Sequence, residues 1–366
     1  MKFSIAKETI LDELQLLQGI VEKRNTMPIL ANILIQATPD QVEMTGTDLE
    51  VGLNTHIQAN IEEPGAVTVS GKKIFEIVKS LPDEQTIVFE ENDDLMMEIS
   101  CGRSQFRVLC LPKEDFPQVP QGTFEKRINI AGELFREMID RVYFSIAQEQ
   151  RYYLNGALLI LKNGTMEMVS TDGHRLSYAS TFLEDLRLEE EIRVIVAKKS
   201  LGELRKMIDE AIEFDRDENN LFFRAGNRML ISRIIESKFP NFEAVIPKDN
   251  PHVLQLLNED FSQAIRRVSL LSTERSRGVK FSIGQKNLKL FSSNPEIGEA
   301  RDDLEVSYEG EDIEIGFNSQ YLLDFLMSVH SERIRLELKD ENSAVVMKPD
   351  LEEAIKFTYV IMPMKI

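Results

Sequence analysis

The chain alternates between two hydrophobic periods, and each switch marks an element. Lys2-Phe3-Ser4-Ile5 alternates with the period of a strand. Over 7–22 the period becomes helical, with Ile10, Leu14, Leu17 and Val21 on one face. After Pro28 come strand-like runs at 29–36, 41–47 and 50–57, then Val67-Thr68-Val69. A short helix is predicted over 72–80, stopped by Pro82. Strands around 86–90, 95–100 and 106–111 follow, with Gly102-Arg103 as a turn, and Pro112, Pro117 and Pro120 close the unit.

The same order then recurs twice. A strand at 127–130 precedes a helix whose face is Leu134, Met138 and Val142, and Asn163-Gly164 turns two strands as a hairpin. A second helix is expected over 200–208, and the unit ends in Phe239-Pro240, as the first ends in Phe116-Pro117. The third copy starts at Val253, with helices expected over 259–271 and 319–329. The copies lie about 125 residues apart, and each divides again into two strand–helix–strands halves. The expectation is an α+β chain of three like domains, at 1–123, 124–248 and 249–366, each with antiparallel sheets packed against two helices.

Repetition supplies an internal control for the most chemically suggestive stretch, Thr171-Asp172-Gly173-His174-Arg175-Leu176. One of only four histidines sits here, two residues from an aspartate. Acid–base chemistry by Asp172 and His174 is one reading. However, the matching position holds Thr47-Asp48 in copy one and Ser293-Asn294 in copy three. Short polar side chains that bond the backbone at a strand end explain that recurrence. Gly173, His174 and Arg175 have no such equivalents, because copy one has Leu49-Glu50-Val51. A function carried by one domain is expected in such departures. A second departure is Arg151-Tyr152-Tyr153-Leu154-Asn155-Gly156, where two adjacent tyrosines cannot both face the core of a strand. The third is Val360-Ile361-Met362-Pro363-Met364-Lys365-Ile366. It reads either as a core strand or as an apolar, methionine-rich surface that adapts to peptides.

Composition narrows the function classes. No apolar run approaches the ~18 residues of a membrane span and no signal peptide is evident, so a cytoplasmic protein is expected. Cys101 and Cys110 lack metal-ligand spacing and read as reduced structural thiols. Phosphate-loop, dinucleotide, nucleophile-elbow and zinc-hydrolase motifs do not occur, so neither enzyme chemistry nor a cofactor or metal is expected.

The net charge is −19, distributed as −10, −2 and −7 over the three domains. That total argues against tight grip on phosphates. Yet many basic residues fall on or beside the helices: Lys23, Arg24, Lys72, Lys73 and Lys79, then Arg136, Arg141, Lys198, Lys199, Arg205 and Lys206, then Arg266, Arg267, Arg275 and Arg277. The helical stripe predicts Arg136 and Arg141 facing outward. Acidic clusters at 90–94, 184–191, 215–218 and 299–303 read mostly as loops. A basic helix side on an acidic body suits loose, sequence-independent contact with a polyanion.

Several stretches in order now match one family. Met1-Lys2-Phe3, Pro28-Ile29-Leu30, Thr45-Gly46-Thr47-Asp48-Leu49-Glu50, the Arg151–Gly156 run, Thr171–Leu176, Phe239-Pro240 and Val360–Met364 resemble the bacterial DNA polymerase III beta subunit, the sliding clamp, over essentially the whole chain. The resemblance implies a head-to-tail homodimer of DNA-clamp folds that rings double-stranded DNA, non-catalytic and opened by an ATP-driven clamp loader. It also implies a hydrophobic groove for short motifs of the replicative polymerase alpha subunit, the loader and repair proteins. Gly173, His174 and Arg175 would wall that groove. Its apolar part would be Leu154, Thr171, Leu176, Pro240, Val245, Val360 and Met362, and its extension Asn318, Tyr321, Pro363 and Met364. Arg24, Gln148, Tyr152 and Tyr153 match DNA-touching loop positions, beside the helix lysines Lys72, Lys73, Lys198 and Lys199. Phe106 and Val108 would meet Leu270 and Leu271 across the dimer interface, with Arg103 and Arg107 facing acids within 296–305. Ala244 and Asn342 depart from the family pattern and bear on motif preference.

Overall fold

The computed structural model describes residues 1–21, 27–92, 94–148, 152–208, 211–273, 276–351 and 354–365. Among these lie six helices: α1 (Lys7–Ile20), α2 (Gly71–Ser80), α3 (Gly132–Tyr143), α4 (Lys198–Met207), α5 (Asn258–Ser269) and α6 (Ser319–Ser328). Each follows a strand, as the period switches predict. On α1, Ile10, Leu14 and Leu17 are fully buried. The start of α6 is capped by Asn318, whose side chain accepts from the Gln320 amide at 2.9 Å. Gly102, Gly164 and Gly226 take φ of +57°, +73° and +57° at their hairpin turns, a region open to glycine at little cost.

The chain forms two compact units, residues 1–136 with 199–234, and 137–198 with 235–366. The first is built on one thirteen-stranded antiparallel sheet. Within it Val51–Ile57, from repeat one, pairs with Arg228–Arg233, from repeat two, placing Leu53 opposite Leu230. The second unit holds an eight-stranded and a four-stranded sheet. In the larger sheet Arg175–Phe182, from repeat two, pairs with Ile355–Ile361, from repeat three, and Leu176 faces Val360. Sheets therefore run across repeat boundaries, a feature the repeat pattern does not announce. The cause is apolar on both sides: Leu53, Leu230, Leu176 and Val360 are all at most 2% exposed.

Two expectations change. Arg141 does not face outward; it is 1% exposed, bonded to Glu137 at 2.7 Å and lying 5.4 Å from the Phe357 ring centre. Phe357 belongs to repeat three, so it covers a helix side that one repeat alone would leave to water. Arg136 donates to the Ile208 carbonyl. The acidic run 299–303 is not a loop but part of the strand Gly298–Glu305, an edge of the four-stranded sheet. Charge on an edge strand discourages uncontrolled pairing with other chains. Cys101 and Cys110 are buried free thiols, and burial pushes Cys110 up to about 11.

Candidate functional site

The turn at Thr171 is the scaffold feature that the repeats suggest. Thr171 Oγ1 donates to the Arg175 carbonyl (2.6 Å) and accepts from the Gly173 amide (3.1 Å). Asp172 Oδ1 accepts from the His174 and Arg175 amides at 3.0 and 3.1 Å. In repeat one, Thr47 bonds the Val51 carbonyl and the Leu49 amide, and Asp48 bonds the Glu50 and Val51 amides, in the same pattern. In repeat three Asn294 Oδ1 accepts from the Glu296 amide. Gly173 sits at φ +90° where repeat one forces Leu49 to +77°. The remaining Asp172 oxygen takes the Arg175 Nε at 3.0 Å. Both carboxylate oxygens are thus engaged by the backbone and Arg175, which leaves Asp172 no free oxygen for a dyad with His174.

Arg175 itself is turned inward, with its side chain 9% exposed. Its guanidinium donates to Asp172, to Asp324 Oδ2 at 2.6 Å and to the Phe144 carbonyl at 2.6 Å. It lies 4.1 Å from the centre of the Tyr321 ring, within cation–π range. Burial alone would lower its pKa; the Tyr359, Asp324 and Asp172 groups more than reverse that, and it stays charged. Tyr359, fully buried, has its hydroxyl pKa raised by that burial, and it donates to the Tyr321 carbonyl at 2.9 Å. Asp324 and Tyr359 escape sequence reading. Asp324 lies 149 positions from Arg175, and nothing in its own helix marks it.

Beside this turn lies an apolar floor. Leu158, Ile160, Val169, Leu176, Ile235, Phe242, Val346 and Val360 form one buried cluster, flanked by half-buried Tyr178, Phe239 and Ile246. Leu154 is buried, while Pro240 is exposed, Val245 is 47% exposed and Met362 43% exposed. The Met362 amide donates to the His174 carbonyl and the Met364 amide to the Gly316 carbonyl, each at 2.9 Å. Ile355–Ile361 is thus a core strand, and 362–364 continues beyond it as a tethered, partly exposed apolar ridge. Asn318, Tyr321, Pro363 and Met364 are half-buried; Thr171 is half-buried and His174 and Gly173 are exposed. Ala244 is exposed in a short 3-10 turn, and exposed Asn342 bonds its neighbour Glu341.

The residues expected to touch DNA are less uniform. Lys72 and Lys73 are exposed on α2 and share Glu76, and Gln148 is exposed. Lys198 is half-buried, donates to the Ile146 carbonyl and has its pKa lowered, by burial first and then by Arg175. Lys199 donates to the Ile20 carbonyl and pairs with Asp48 at 2.5 Å. Both amines are thus turned into their units. Tyr153 is half-buried; Arg24 and the Tyr152 side chain lie outside the described residues.

Family models place all three repeats together. Residues 1–120, 129–241 and 243–365 match the N-terminal, central and C-terminal domains of the DNA polymerase III beta subunit. The chain belongs to that family. It is 35% identical to the beta sliding clamp of Pseudomonas putida and 33% identical to that of Escherichia coli. Each alignment covers all of both chains. The sliding clamp of Pseudomonas aeruginosa bound to griselimycin superposes with a TM-score of 0.94 at 34% identity over all of both chains. The Bacillus subtilis clamp does so at 28% identity, covering 99% of that chain.

In this clamp chain the expected interface residues are divided between the strand Ser104–Leu111 with its preceding turn and the residues that follow the end of α5. Ser104–Leu111 is paired along one side with Met96–Cys101 through Leu109, but on the other side only at Cys110 and Leu111. Phe106 and Val108 point to its half-buried face, while Arg103 and Arg107 are exposed, Arg107 beside Glu98. The other open edge is Gly298–Glu305, next to Leu270 (78% exposed) and half-buried Leu271. Among the described residues no helix is long and apolar enough to cross a membrane, and no cluster of three or more His, Cys, Asp or Glu is placed to hold a metal.

Proposed function

We propose that two copies of this sliding clamp close head to tail into a ring around duplex DNA, and that the groove beside His174 tethers polymerase, clamp loader and repair proteins by short linear motifs. The observation that carries the ring is the repeated strand junction. The fourth strand of repeat one takes the last strand of repeat two, and the fourth strand of repeat two takes the last strand of repeat three. Continuing the rule, the fourth strand of repeat three, Gly298–Glu305, takes the last strand of a repeat one, Ser104–Leu111. Repeat one of the same chain is the start of the series, so a second copy supplies that strand. Two such heterologous contacts close on themselves.

The same rule sets the register. Hairpin positions make Arg107 equivalent to Ile231 and Val360, and Glu299 equivalent to Gly52 and Leu176. Arg107 then stands opposite Glu299 and Phe106 opposite Ala300. Opposite charges directly across strands favour this register over a slipped one.

A ring also accommodates the charge. A chain of net charge −19 is repelled by DNA at long range, but a closed ring stays on by topology. Weak contacts from lysines such as Lys72 and Lys73 and from Gln148 then permit sliding. The groove has an apolar floor for side chains and the exposed His174 at its edge, which suits peptides with bulky apolar residues. The role is non-catalytic, needs no cofactor and is exercised in the cytoplasm on DNA. Retention on circular against linearised DNA tests it: clamps loaded on circles stay through gel filtration and run off linear ends. Equal retention on both rejects topological binding, and a monomer at all concentrations in sedimentation rejects the ring.

A further inference from the structure

Tyr321 is held by residues of its own helix, α6, and by Arg175 and Tyr359 from elsewhere in the chain. Arg175 lies under the ring at 4.1 Å, and its fork is divided between Asp172, Asp324 and a main-chain carbonyl. Tyr359 holds the Tyr321 main chain from the other side. Asp324 is itself fixed by Gln320, whose amide group donates to Asp324 Oδ1 at 2.8 Å. Gln320 is in turn placed by the Asn318 cap. The guanidinium therefore has three protein acceptors and the rings of Tyr321 and Phe144 near its faces, and little of it is left to meet a ligand.

We infer that Asp324 is a positioning residue for the groove: acting through Arg175, it fixes the Tyr321 ring as a preformed wall next to Pro363 and Met364. This rests on the reading of that surface as a peptide groove. A carboxylate is required because one oxygen takes Arg175 Nη1 and the other takes the Gln320 side-chain amide, and both must accept. Arg175 contributes the underside of the wall, not a charge offered to the peptide. Repeat one lacks the device, since Val51 occupies the position of Arg175. A preset ring spares the ordering of one side chain on binding, an effect of about tenfold in affinity.

The test uses the full chain and a synthetic peptide copying the linear motif of the polymerase alpha subunit, with two shortened versions, one lacking residues at each end. Asp324→Asn is expected to weaken the full peptide about tenfold and to leave unchanged the shortened version that no longer reaches Tyr321. Equal weakening of all three peptides, or none, overturns the inference. A ligand-free readout separates it from the groove reading: with fluorotyrosine incorporated and the Tyr321 signal identified through Tyr321→Phe, Asp324→Asn should move or broaden that fluorine resonance. An unmoved signal overturns the inference even if peptides bind. A wild-type chain that binds no peptide, yet shows the shifted signal, overturns the groove alone and supports the brace.

Discussion

The two strand junctions inside the units share a backbone pattern and differ in several of the side chains their outer faces display. At the first, Val51–Ile57 against Arg228–Arg233, the outward positions include Gln36, Glu43, Thr45 and Asn54. Asn54 donates to both Glu43 and Thr45. With the segment 113–121 they line a polar cavity of about 500 Å³. At the second, the hairpin registers put Ile160 where the first has Gln36, Val169 for Thr45 and Tyr178 for Asn54. There the same positions join a continuous apolar cluster. Fold is therefore set by features the junctions share: alternation, the Thr-Asp turn, and the strand exchange. Binding character is set by a few outward side chains that the fold does not constrain.

The largest expected difference lies in the ionic groups at the two turns. Arg175→Ala removes the partner of two carboxylates that are each 17% exposed, and should destabilise the second unit by about 3–5 kcal/mol. At the first junction Lys199→Ala unpairs one carboxylate, Asp48, and the Ile20 carbonyl; Asp48 is 7% exposed but two backbone amides still hold it, and a smaller loss of about 1–3 kcal/mol is expected. Thermal melts of the two variants side by side check this, and equal losses would erase the contrast. Next, Leu176→Ala should cost about 2–4 kcal/mol and abolish measurable motif binding, because Leu176 is 2% exposed in the groove floor. Thr45→Ala on the polar side should leave motif binding within twofold, read by fluorescence anisotropy.

The open third junction offers an effect of similar kind on assembly. Phe106→Glu or Leu270→Glu should raise the dimer dissociation constant by at least ~30-fold, about 2 kcal/mol, in sedimentation. Arg107→Glu should weaken it less, by about 1 kcal/mol, and Glu299→Arg in the same chain should recover most of that loss if the register above holds. Effects of similar or smaller size are expected in the turns themselves. Gly173→Leu should cost about 1–2 kcal/mol at φ +90°, whereas Leu49→Gly should stabilise by up to about 1 kcal/mol by relieving φ +77°. If both changes destabilised, the two turns would not be equivalent.

Much of this was legible in the chain. The helices, the hairpins and the scaffold role of Thr171-Asp172 follow from periodicity, turn residues and comparison of repeats. Gly173, His174 and Arg175 stand out as departures from those repeats. What could not be read was anything settled between segments distant in sequence. Arg141 looks solvent-facing on its own helix and is buried by Phe357. The acidic run 299–303 has the composition of a loop and is an edge strand, because pairing with Asn287–Asn294 outweighs its low strand propensity. Lys198 and Lys199 read as free cations, yet carbonyls of Ile146 and Ile20 capture them.

The strand exchange has a consequence for how the molecule is made. Glu13 on α1 is 4% exposed and receives a bidentate bond from Arg228, 215 positions further along the chain. During synthesis, then, Val51–Ile57 waits with a bare edge, and Glu13 without its cation, until the second half of the central repeat emerges. Contact order is high by design, and the first repeat cannot reach its final pairing on its own. A fragment cut at the repeat boundary would carry that bare edge permanently, and should be recovered from cells as aggregate or chaperone-bound material rather than as a free domain.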